Sequence, residues 1–82
     1  MSFFVYILKL ADKSLYTGYT KNIDQRLDQH SKGRGSKYVR ARLPLELVYL
    51  ENYETRSEAM RREYTIKKFT RIKKLQLISN SP

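Results

Sequence analysis

The run FFVYILKL at residues 3–10 constrains the fold of this chain more than any other stretch. Its apolar side chains fall on both odd and even positions. A strand built from it needs cover on both faces, as a central strand with layers packed on both sides has. The chain has 82 residues and no cysteine, so neither disulfides nor a thiolate metal site can supplement its core. At this length one core is only just sufficient, and every other element must close around that strand. The apolar hexapeptide FFVYIL is far too short for a membrane span. No basic segment precedes it and no small-residue cleavage site follows, so it does not read as a signal peptide. The expectation is one soluble domain over residues 1–82, cytoplasmic, with no membrane partner.

The remaining elements follow from local signals. Ala11, Asp12 and Lys13 supply a turn, and LYTGYT at 15–20 is rich in the Tyr and Thr that favour strands. Asn22 is a good N-cap with Gln25 as its capping-box partner. Ile23, Leu27 and His30 then share a helical face, and Gly33 can end the helix. SKGRGSK at 31–37 reads as a mobile basic loop, KYVRARL as a turn or two of helix before Pro44, and LELVYLENY at 45–53 as a third strand. Thr55 and Glu58 form a capping box that opens a helix to about Phe69. Thr70 caps a last helix in which Ile72, Leu75 and Ile78 share a face. These elements describe an α/β domain of the α+β type, a three-stranded antiparallel sheet flanked by three to four helices.

The formal net charge is +9, unevenly spread. Residues 55–82 carry eight Lys/Arg against Glu58 and Glu63, a net +6, and residues 1–54 hold the other +3. Such a field attracts polyanions, and nucleic acid or ribosome association is expected of it. Lys32, Arg34, Lys37, Arg40, Arg62, Lys67 and Lys68 are the candidate contacts to backbone phosphates. The alternative reading of these cations is a solvated, solubilising surface.

Hairpin register decides where chemistry can sit. A three-residue turn over Ala11–Lys13 pairs Leu10 with Ser14 and hence Tyr6 with Gly18, leaving Tyr16 diagonal to Tyr6 on the same face at about 7–8 Å. Gly18 then leaves a gap beside both phenols where a phosphate could approach. Arg26 and His30, four apart, face the same way. Arg26 wants a carboxylate or phosphate in its fork. Glu63 lies on the inward stripe of its helix near Ala59, Met60 and Ile66, where a carboxylate needs a cation. Each residue also has a structural reading: strand tyrosines as packing, Arg26 with Glu63 as an ion pair, His30 as a helix-end cap, Gly18 as a bulge.

Taken together, the residues resemble the GIY-YIG nuclease superfamily over most of the chain. Phe4-Val5-Tyr6 stands where such proteins have Gly-Ile-Tyr, and Tyr16-Thr17-Gly18 where they have Tyr-Ile-Gly. The tyrosines are ten apart, Arg26 follows ten later, His30 four after that, and Glu63 lies 37 beyond Arg26. That spacing is similar to the nuclease domain of the bacterial excision-repair incision subunit, and the whole is similar to small stand-alone bacterial members of uncharacterised function. The resemblance implies a three-stranded antiparallel sheet with flanking helices and DNA phosphodiester cleavage with one divalent metal. It implies Glu63 as the ligand of a weakly held Mg²⁺ or Mn²⁺, Arg26 on the phosphate, Tyr6 and Tyr16 positioning or deprotonating water, and His30 assisting proton transfer. Three positions depart from the pattern: Phe4 for the first motif glycine, Tyr19 where the repair enzyme has a lysine-bearing motif, and Leu75 where many members carry an asparagine.

The leading expectation is therefore a metal-dependent DNA endonuclease in repair or recombination, directed by DNA structure rather than sequence. A nucleic-acid-binding module that kept the fold without efficient catalysis is the first alternative, and a subunit docking to a protein partner the second. The sequence carries no signal for oligomeric state.

Overall fold

The computed structural model describes residues 2–80. Strand β1 (Phe3–Lys9) is central, flanked by β2 (Leu15–Thr20) and β3 (Glu46–Tyr53) in the order β2-β1-β3, both pairings antiparallel. Its two-faced apolar pattern requires that place, and Val5, Tyr6, Ile7 and Leu8 are all fully buried. The β1–β2 loop is the expected three-residue turn. Leu10 N–H donates to the Ser14 carbonyl at 3.0 Å, Lys13 takes the left-handed conformation at φ 72°, and Tyr6 pairs with Gly18. Asp12 holds the turn by accepting from the backbone N–H and hydroxyl of Ser14. Between Ile7 and Leu8 the register with β3 shifts, leaving Val48 as an extra residue on β3.

Helices α1 (Ile23–Ser31) and α2 (Lys37–Arg40) cover one face, α3 (Arg56–Lys67) and α4 (Arg71–Ser79) the other. The first core joins Tyr6, Leu8, Leu10 and Val39 to Ile23 and Leu27. The second joins Val5, Ile7, Ala59 and Ile66 to Phe69, Leu77 and Ile78. The caps sit where the residue types demand them. Thr55 and Glu58 form a complete capping box, and the Thr70 side chain accepts from Lys73 N–H. Asn22 accepts from Gln25 N–H; Gln25 has no reciprocal side-chain bond among the described residues.

Two expectations need correction. The segment 31–37 is not all loop: Ser31 closes α1, Ser36 caps α2 through Val39 N–H, and Lys37 begins α2. Gly33, at φ 77°, supplies the left-handed residue that ends α1. On α4, the shared face of Ile72, Leu75 and Ile78 is not the buried one. Ile72 is 70% and Leu75 42% exposed, whereas Leu77 and Ile78 pack into the core, because the helix docks through its last turn. No helix among the described residues is long and apolar enough to cross a membrane.

Candidate active site

A groove of about 250 Å³ lies where α1 and α3 meet the outer strand β2. Tyr6, Tyr16, Gly18, Tyr19, Thr20, Arg26, Arg56 and Glu63 line it. The strand register brings Tyr6 against Gly18 and sets Tyr16 diagonally from Tyr6, beside Leu8. Gly18 is needed for contact rather than conformation: a Cβ there would lie 2.6 Å from Tyr6 Cζ and closer still to the hydroxyl. The bare backbone is what lets the Tyr6 ring lie across β2.

The two tyrosines are not equivalent. Tyr6 is fully buried, so it floors the groove rather than projecting into it, whereas Tyr16 is half-buried. Burial pushes the Tyr6 phenol up to about 12, with neighbouring Tyr16 adding and Arg26 opposing. An unaided phenolate at Tyr6 is disfavoured at neutral pH. The Tyr6 hydroxyl instead meets His30 Nε2 at 3.0 Å. Either the phenol donates to a bare Nε2 or an Nε2–H donates to the phenol oxygen.

His30 is 1% exposed and sits behind Tyr6, outside the groove lining. It is neither a helix-end cap nor a residue able to touch a substrate in the groove. That corrects its expected place beside the reacting atoms, because its position on the α1 face directs the ring into the core. Burial first, then the Arg26 charge, hold its pKa below the ordinary value, so the ring is neutral at pH 7. Its Nδ1 is buried with no hydrogen-bond partner among the described residues. The backbone of Gly35 covers that atom so closely that a Cβ would lie 2.5 Å from it.

Tyr16 is braced from outside. Its ring meets His30 edge-on at 5.5 Å and stacks on Tyr38 at 6.3 Å. The Arg42 guanidinium lies 3.7 Å over Tyr38 and is tied to Asp12 at 3.0 Å. The hairpin turn thereby fixes a groove residue through two intermediates.

Arg26 and Glu63 both reach the groove but do not form the ion pair considered from spacing: among the described residues Arg26 makes none. Glu63 has Lys67 at 3.5 Å, a partner more than half exposed. On α3, Ala59 and Ile66 are buried while Met60 is 46% exposed, so Glu63 sits at the margin of the packed stripe. It is the one carboxylate lining the groove, and the described residues contain no cluster of three or more acidic, His or Cys side chains able to cage a metal. A lone carboxylate beside space for water and phosphate fits Mg²⁺, which keeps several waters and is commonly held by one or two carboxylates plus substrate phosphates.

Of the residues expected to bind nucleic acid, only Gly18 lines the groove. Lys32 pairs with Asp28 at 3.0 Å, Lys67 with Glu63, and Lys68 lies 4.2 Å over the Tyr64 ring. Arg34, Lys37 and Arg40 are exposed, Arg40 resting its methylenes against Gly33. Arg62 is a correction. It clasps Glu51 with Nε at 2.9 Å and Nη2 at 3.0 Å, and this internal pair removes it from the phosphate-facing set. Sequence reading passed over Arg56, Tyr19 and Thr20 as groove residues. The signal for Arg56 was its place seven residues before Glu63, two turns along the same stripe.

With that geometry in view, the comparisons with known proteins are specific. Residues 2–76 match the GIY-YIG catalytic domain. UPF0213 proteins of Staphylococcus aureus strains Mu50 and N315 are each 57% identical over 77 residues, covering 94% of this chain and 94% of theirs. The solution structure of the UPF0213 protein BH0048 from Bacillus halodurans matches with a TM-score of 0.66 at 46% identity, over 99% of this chain and 86% of that one. That of EF2693 from E. faecalis gives 0.68 at 40% identity, over 98% and 85%.

Proposed function

The chain belongs to the GIY-YIG family, a nuclease family, and from that membership we propose that it hydrolyses DNA phosphodiester bonds as a metal-assisted endonuclease. The observation that carries this reading is the convergence of Tyr6, Tyr16, Gly18, Arg26 and Glu63, from four separate elements, on one groove.

Each residue has a role its surroundings favour. Arg26 has no carboxylate partner among the described residues, so its fork is open to two oxygens of the scissile phosphate and to the charge that grows there. Tyr16 is accessible and braced, which suits it to orient the attacking water through its hydroxyl. Tyr6 and His30 form a buried pair behind it, and the bond between the Tyr6 hydroxyl and His30 Nε2 holds the Tyr6 ring in place. His30 acts through Tyr6 and is thus a positioning residue. Glu63 is the residue that would hold Mg²⁺ or Mn²⁺, and such an ion, when bound, stabilises the phosphate and the leaving oxygen as a Lewis acid. The groove offers charged groups for phosphates and few for base edges, which favours selection by DNA structure, as in repair or recombination.

The test is cleavage of flap, nick, junction, single-stranded and duplex DNA with Mg²⁺ or Mn²⁺, with EDTA and Glu63→Gln as controls. Metal-dependent nicking that Glu63→Gln abolishes supports the reading, and equal cutting by wild type and variant overturns it. A second reading rests on the complete burial of Tyr6: a nucleic-acid-binding module with little catalysis. DNA binding without nicking under all of these conditions would favour it.

A further inference from the structure

Arg56 is the one groove cation that the roles above leave unused. It is exposed at the first turn of α3, and it makes no ion pair among the described residues. Arg62, six residues on, is by contrast bound to Glu51. The Arg56 guanidinium lies 5.4 Å over the Phe3 ring, a cation–π contact that gives an exposed side chain a preferred direction. Arg26, on α1, flanks the same groove and is equally unpaired.

Resting on the nuclease reading, we propose that Arg56 binds the phosphate next to the scissile one on the same strand, so that the groove holds two consecutive phosphates of its substrate. The helix sets the spacing. Arg56 and Glu63 share one stripe, and seven residues at about 1.5 Å each separate their backbones by roughly 10 Å along α3. Arg26 and Glu63 serve the phosphate being cut, and a guanidinium two turns away is offset toward its neighbour. An arginine there forks onto phosphate oxygens and contributes binding rather than charge stabilisation at the reacting centre.

The experiment measures DNA binding against salt with Glu63→Gln protein, so that cleavage does not interfere, and cleavage kinetics with otherwise wild-type protein. Arg56→Ala is made in both, with Arg61→Ala, an exposed α3 cation outside the groove, as the charge control. In binding, Arg56→Ala is expected to weaken affinity about tenfold and to reduce the slope of log K against log salt by about 0.7–0.9, the share of one phosphate contact. Arg61→Ala should change both by much less, and Arg56→Lys should restore most of the slope. In cleavage, Arg56→Ala should raise KM about tenfold while kcat moves less than threefold, whereas Arg26→Ala lowers kcat. The proposal falls if Arg56→Ala matches Arg61→Ala in affinity and slope, or if the glutamine background binds no DNA. Should wild type cut nothing while Arg56→Ala still lowers the slope, the cleavage reading fails and the role of Arg56 stands.

Discussion

Two clusters in this molecule are built from nearly the same side chains and are satisfied in opposite ways. On the α3 side of the sheet, Glu51 accepts from Tyr49, from Tyr53 at 2.7 Å and from two nitrogens of Arg62. Around the groove, Tyr6, Tyr16, Arg26 and Glu63 form a comparable set. There Arg26 has no acidic partner among the described residues, Glu63 has a single long contact to an exposed lysine, and His30 Nδ1 is buried without a partner. The first cluster shows that this fold can pair such groups completely. The second leaves capacity open at a surface groove, where a substrate could complete it.

That difference predicts opposite outcomes for parallel substitutions. Glu63→Gln is expected to cost cleavage more than 10³-fold, on the order of 4 kcal/mol in the barrier, and to change stability by less than about 0.5 kcal/mol, since its lysine contact is weak and exposed. Arg62→Ala should do the reverse. It strands Glu51, only 16% exposed, and should destabilise by about 2–3 kcal/mol, somewhat below a fully buried pair because Arg62 itself is 29% exposed. Chemical denaturation read beside single-turnover cleavage checks both. If Glu63→Gln proves the more destabilising, the clusters do not divide into structure and site.

The sequence told these clusters apart poorly, and the reason is physical. Strand alternation and the turn length placed Tyr6 against Gly18, because a three-residue loop admits only one register. Capping residues placed the starts of α1, α3 and α4, whereas the Ser36 cap of α2 falls in a stretch that reads as loop. Periodicity could not say which of the three arginines on α3, Arg56, Arg61 or Arg62, would find an acid. That depends on Glu51, eleven residues before Arg62 and brought to it only by the packing of α3 on β3. Nor could periodicity rank Tyr6 and Tyr16, since both share a face and their burial depends on strand order and on the packing of α1 and α2 over them. On α4 the i, i+3, i+6 pattern of Ile72, Leu75 and Ile78 was a poor guide, because the helix is held by its end.

Gly18 offers a way to disturb one cluster without touching the other. In Gly18→Ala the new methyl collides with the Tyr6 ring and hydroxyl, so the Tyr6 ring must shift, and with it the hydroxyl that meets His30. Overpacking of this kind costs about 1–3 kcal/mol. The expected result is a stability loss in that range together with a drop in cleavage of 10-fold or more, measured at a temperature where the variant is fully folded. Tyr49 and Tyr53 should stay as they are. Unchanged Tyr49 and Tyr53 ring signals alongside lost Tyr6–His30 contact by NMR would sharpen the contrast; wild-type cleavage in a stably folded variant would break it.

The smallest effect is the one that separates the clusters by pH. His30 is held below its ordinary value of 6.5, chiefly by burial. A depressed pKa means the unfolded chain takes up the proton first, so the contribution of neutral His30 is complete above pH 6.5 and declines as pH falls through the folded value. Glu51 is likewise depressed, its bonds to Arg62 and the two tyrosines outweighing burial, but from an ordinary value of 4.5. Its contribution therefore persists until the pH falls below about 4.5 and only then declines. Acid should thus loosen the molecule in two stages, the groove side first. In a denaturation series from pH 8 to 3, wild type is expected to lose stability from just below pH 6.5 and again below about 4.5. His30→Gln, which keeps an amide within reach of Tyr6, should lack the first decline and retain the second. If both proteins fall together from pH 6.5, the early loss does not come from His30, and the Tyr6–His30 pair is ordinary core packing.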